Sequence, residues 1–156
     1  MNNWKFYSIV FFVLLGITSC DYFVAGSYPY VEDYEMPMSE DITIKAIKNF
    51  KKNNPQYVVP DSLNIIDGRD HNDGNDYWYH VYFYYPEEKQ VLNTWTRPLT
   101  KKSTTFGFVG IIYDLKTWHF MRINKDFDSD EDDAQKKKFE ERIVKKIYPL
   151  ILNPKD

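Results

Sequence analysis

Four β-prone runs lie between Tyr77 and Asn124, joined by connections of only a few residues: Tyr77–Tyr85, Val91–Arg97, Thr104–Tyr113 and Thr117–Asn124. Parallel neighbours need a crossover of about a dozen residues or more, so this spacing restricts the region to antiparallel pairing. Pro86 stops the first run, and Glu87 to Gln90 supplies a hairpin loop. Asp114-Leu115-Lys116 turns the third run into the fourth. The short apolar segment Leu63–Ile66, closed by the turn dipeptide Asp67-Gly68, is expected to add a strand ahead of them. A meander of four to five strands follows.

Helical patterns flank the meander. From Ser39 to Asn53 the apolar residues Ile42, Ala46, Ile47 and Phe50 recur at helical spacing. Ser39 suits the N-cap, Glu40 and Asp41 suit the positive end of the helix dipole, and Asn53-Asn54-Pro55 suits the end. A second helix is expected from Asp130 to Tyr148, capped by Ser129 or Asp130 and stopped by Pro149. Its buried stripe would be Phe139, Ile143, Val144 and Ile147. The fold class is therefore α+β, with an N-terminal helix, an antiparallel sheet and a C-terminal helix, the helices on one sheet face.

Alternation divides the aromatic strands into two faces. Tyr79, Val81 and Phe83 read as core, whereas Trp78, His80, Tyr82 and Tyr84 pair ring surface with a polar tip. In the next strand Val91, Asn93, Trp95 and Arg97 alternate against Leu92, Thr94 and Thr96. If Trp95 faces Trp78 or Tyr82, the sheet presents an aromatic platform able to stack on sugar rings or dock a protein. The competing expectation is that this face packs under the N-terminal arm or a helix.

Other constellations point less clearly to chemistry. The acidic run Asp126, Asp128, Asp130, Glu131, Asp132, Asp133 fits no EF-hand register, which needs glycine at the sixth position and glutamate at the twelfth; it suits a helix N-terminus. The loop Asp67 to Asp76, with His71 and His80, offers carboxylates and imidazoles but has the composition of ordinary turns. No Gly-x-Ser-x-Gly, His-Glu-x-x-His or phosphate-loop motif occurs, and the three histidines are scattered. Twenty basic against 23 acidic residues leave no electrostatic footprint for nucleic acid. No cofactor is implied.

The first twenty residues carry a different signal. Lys5 precedes an almost wholly apolar stretch from Phe6 to Ile17, too short to span a bilayer, which takes about 20 residues. It runs into Leu15-Gly16-Ile17-Thr18-Ser19-Cys20, which resembles the lipobox of bacterial lipoproteins. The resemblance implies removal of residues 1–19, lipidation of Cys20, and attachment to a membrane of the bacterial cell envelope, inner or outer. Two or more acyl chains make such attachment stable. Cleavage after Val24-Ala25-Gly26, which would discard Cys20, is the competing possibility. Cys20 is the one cysteine, so no disulfide can form within the chain and packing must hold the fold. Residues 20–38, with Pro29 and Pro37, read as lipidated N-terminus and tether, and 39–156 as a single globular domain.

The expected function is that of a membrane-anchored envelope protein with a non-catalytic binding domain. Its partners would be the lipid bilayer through Cys20 and a protein or polysaccharide through Trp78, His80, Tyr82, Tyr84 and Trp95. The alternatives are an immunity-type protein neutralising a toxin, an enzyme acting on envelope polymers with Asp70, Asp73 or Asp76 as its acids, and an assembly factor that tethers a complex.

Overall fold

The computed structural model describes residues 28–69 and 77–153. The fold is α+β: a six-stranded antiparallel sheet carries its helices on one face. The strands are β1 (Glu32–Met36), β2 (Gly68–Arg69), β3 (Tyr79–Tyr85), β4 (Gln90–Pro98), β5 (Thr104–Asp114) and β6 (His119–Arg122), in the order β1-β5-β4-β3-β2, with β6 also on β5. β5, eleven residues long, is the spine. β1 pairs with its first half and β6 with its second.

Two expectations need correction. Residues 32–36, placed in the tether by composition, form the edge strand β1, in which Met36 is fully buried and Tyr34 packs against the core. Acidic residues at three of its five positions, Glu32, Asp33 and Glu35, disguised it. Leu63–Ile66 is not a strand: a 3₁₀ turn at Asp61–Leu63 leads into Asn64, whose φ of 52° breaks extension. Leu63 and Ile65 instead lie on the sheet face away from the helices, against Val91, Ile112, Tyr82 and Tyr84.

Helix α1 (Glu40–Asn53) starts after Ser39, whose carbonyl accepts both the backbone N–H (3.0 Å) and the hydroxyl (3.1 Å) of Thr43. Ala46, Ile47 and Phe50 are buried as the pattern predicts, while Ile42 stays half-buried. The C-terminal helical segment is α2 (Ser129–Phe139), a π turn (Glu140–Val144) and α3 (Lys145–Leu152). Its cap is Asp128, one residue before Ser129, with a carboxylate that accepts the Glu131 N–H at 2.9 Å. Pro149 does not end it. An interior proline costs about 3 kcal/mol; burial of Phe139, Ile143, Ile147 and Ile151 on the core side outweighs that cost. Each buried aliphatic side chain contributes about 1.5–3 kcal/mol.

Tyr85 lies within this core and Tyr34 packs against it, and burial pushes both phenols well above their ordinary value. A phenol raised on folding holds its proton longer in the native than in the unfolded state, so the stability it confers is lost as pH climbs above about 10. The Tyr85 hydroxyl is buried with no hydrogen-bond partner among the described residues. Tyr85→Phe therefore leaves neutral stability unchanged or slightly higher, by up to ~1 kcal/mol, and flattens the alkaline limb of a urea-midpoint-versus-pH curve. An unchanged limb would show that Tyr85 ionises as freely in the folded state as in the unfolded one.

Candidate functional site

The sheet face away from the helices is built in rows, because residues paired across antiparallel strands share a face. His80 lies directly opposite Trp95, which lies opposite Gly107, which lies opposite Asp33. The next row holds Tyr82, Asn93, Gly110 and Arg122, and beyond it come Tyr84, Val91, Ile112 and Phe120. Trp78, His80, Tyr82, Tyr84 and Trp95 are thus brought to one side of one sheet. Cys20, His71, Asp70, Asp73 and Asp76 lie outside the described residues.

These five side chains are not equally accessible. Trp95 is only 2 % exposed. The ring of Tyr28, from the N-terminal arm, sits 5.9 Å from that of Trp95, 5.5 Å from Trp78 and 6.2 Å from His80. Arg97 lies over the indole on its own strand at 5.4 Å. Trp95 is thus covered by the arm. Tyr84 is covered from the other side by the Val59–Ile65 segment. Between the two covers the half-buried His80 and Tyr82 stack with ring centroids 6.3 Å apart and planes 15° from parallel.

A cleft of about 450 Å³ opens over that stack. Tyr28 forms one wall, Ile66 to Arg69 the other, and Asn93 the floor beside Tyr82. The Asn93 side-chain carbonyl is buried and accepts no hydrogen bond from the described residues. A buried acceptor left without a donor costs about 1–3 kcal/mol, so it is a group that a bound donor would satisfy.

The far wall is pinned to α1 by two ion pairs. Asp67 accepts from the Lys51 ammonium at 2.6 Å and from the Tyr82 backbone N–H at 2.9 Å, capping β3 where the two-residue strand β2 no longer covers it. Arg69 bonds the buried Glu40 carboxylate, whose other oxygen accepts the Thr96 hydroxyl at 3.0 Å, and it donates to the Tyr77 carbonyl at 3.1 Å. Burial holds the Lys51 ammonium below its ordinary pKa, with Asp67 pulling in the opposite direction. Breaking either pair would leave a largely buried charge, so this wall is rigid.

Asn93 was not singled out in the sequence as a site residue, and Asp67 and Arg69 entered only as members of the polar loop Asp67 to Asp76, whose composition is that of ordinary turns. The alternation that marked Trp95 places Asn93 on the same face and is the signal that finds it. Asp67 and Arg69 carry no such signal, since their partners Lys51 and Glu40 are 16 and 29 residues away.

Most of the acidic run is engaged within the fold. Asp126 binds the Arg122 guanidinium at 2.9 and 3.3 Å, which holds its carboxyl below the usual range. Asp128 caps α2, Glu131 accepts from the Tyr113 hydroxyl at 2.9 Å, and Asp132 takes the Asn124 N–H at 2.8 Å while pairing with Lys136. Among the described residues no group of three or more carboxylate, histidine or cysteine side chains could hold a metal ion. No family model, curated protein or solved structure matches the chain.

Proposed function

We propose that the chain is a lipid-anchored cell-envelope protein whose α+β domain binds a saccharide, without covalent chemistry, in the cleft over His80, Tyr82 and Asn93. The observation that carries this reading is the combination of two stacked rings with an unsatisfied amide carbonyl beside them. A pyranose has C–H faces that lie on aromatic rings and hydroxyls that donate at its rim; the cleft offers the rings, and the Asn93 carbonyl lies buried in its floor, where a side-chain rotation would bring it to a hydroxyl. Ligand sites of this kind combine ring surface with a few placed polar groups. The charged residues of the wall favour holding over reaction, because Asp67 and Arg69 are already engaged with Lys51 and Glu40. The lipobox-like segment supports the anchor.

Calorimetric titration with N-acetylglucosamine and hexose oligosaccharides tests the reading. Tyr82→Ala should lose the stacking contribution of about 0.5–1.5 kcal/mol, up to roughly tenfold in Kd. Asn93→Ala should weaken binding comparably through the lost hydrogen bond. It should change Tm little, because the buried carbonyl it removes has no hydrogen-bond partner among the described residues. Binding unaffected by both changes, or lost only in step with a falling Tm, would overturn the proposal.

A further inference from the structure

We propose that the sheet face carrying the cleft is the membrane-facing surface of the domain, with Ile66, Trp118 and Phe120 seated among the lipid headgroups. The inference rests on the lipid-anchor reading and adds an orientation to it. Three observations carry it.

The first is where the chain enters. Tyr28 packs on this face, against Trp78, His80 and Trp95. Cys20 lies eight residues earlier. Eight residues span at most ~28 Å of contour. An acylated Cys20 would therefore keep the point where the chain enters this face within ~28 Å of the bilayer.

The second is the apolar surface exposed there. Ile66 is 83 % exposed, Trp118 50 % and Phe120 39 %. Ile66 stands in the cleft wall. Phe120 is opposite Ile112, and its ring tip would lie 2.9 Å from a Cβ at Gly110, which places it over the same face at the other edge. β2 and β6 are separated by β3, β4 and β5, four strand spacings or about 19 Å. The anchor and two separated apolar points define a seat. The helical side exposes the charged row Asp133, Lys137, Glu141 and Lys145, with Tyr148 and Leu152 exposed toward the end of the last helix.

The third is the way Trp118 is presented. It occupies the left-handed region at φ 55°, which bulky residues rarely enter. The turn before it is fixed by Asp114, which accepts the Lys116 N–H at 2.8 Å and the Thr117 hydroxyl at 2.9 Å. An indole held outward at a rigid hairpin tip suits the membrane–water interface, where tryptophan is enriched. The cleft then opens at headgroup level, so the saccharides within its reach are those borne at the bilayer surface.

Spin labels on Ile66→Cys, Trp118→Cys and Asp133→Cys in the full chain test the orientation. Each is reconstituted into phosphatidylethanolamine–phosphatidylglycerol vesicles, and intact mass reports whether Cys20 is acylated. At 66 and 118, collision with oxygen relative to a water-soluble nickel complex should be several-fold higher than at 133, which stays aqueous. Acylated protein with three equally aqueous labels would overturn the orientation and leave the anchor standing. Where no acyl group is found, Cys20 is changed to serine so that only the introduced cysteine carries the label; lipid exposure confined to 66 and 118 then upholds the face by itself, and its absence removes both readings.

Discussion

Phe139→Ala should cost the domain roughly 3–5 kcal/mol, the usual range for emptying a buried phenylalanine site. Phe139 is fully buried where the C-terminal helix meets the sheet. Its ring stacks on Phe108 at 4.4 Å and contacts Phe106 at 5.5 Å, Tyr34 at 5.6 Å and Phe83 at 6.4 Å. It therefore joins β1, β3, β5 and α2 at one point, and none of these neighbours can fill the void without leaving the others. Against a total stability of about 5–15 kcal/mol this is a large fraction. Urea titration should show a lower midpoint with an unchanged slope, and Phe139→Leu should lose much less, by about 1.5 kcal/mol or under. A loss below ~1 kcal/mol for the alanine variant would mean that the helix is not seated on the sheet as described.

Trp95→Ala should be of similar size, roughly 3–5 kcal/mol, because the indole is packed rather than displayed. Gly107 supplies an internal check. A Cβ at Gly107 would lie 2.7 Å from two atoms of the Trp95 ring and 2.8 Å from a Val31 methyl group. The glycine is there so that the indole can lie flat across β5. Gly107→Ala alone should thus cost about 1–3 kcal/mol by overpacking. In the Trp95→Ala background the same change should be close to neutral, since only the Val31 side chain remains in the way and it can rotate. A double-mutant cycle by thermal or urea unfolding measures this coupling, with a magnitude of about 0.5–3 kcal/mol expected for touching residues. Additive effects would place the indole off Gly107, with its face open to a ligand.

The aromatic alternation shows how far the sequence could be read. It correctly sorted β3 and β4 into two faces, because the side-chain period of a strand is a local property. It could not say whether the second face was bare. Tyr28 and the Val59–Ile65 segment, which cover it, come from parts of the chain with no periodic pattern of their own. The cleft between those covers was invisible for the same reason. Its wall depends on Lys51–Asp67 and Glu40–Arg69, pairs chosen by the path of the chain.

The antiparallel sheet with helices on one face was determined by the sequence alone, since periods of 2 and 3.6 and short connections act over neighbouring residues. Tertiary structure alone decided that Glu32–Met36 joins the sheet, that the last helix continues through Pro149, and that Trp95 lies beneath Tyr28. In each case a weak or opposing local preference is outweighed by apolar burial or strand pairing between residues far apart in the chain, an energy that no short window of sequence contains.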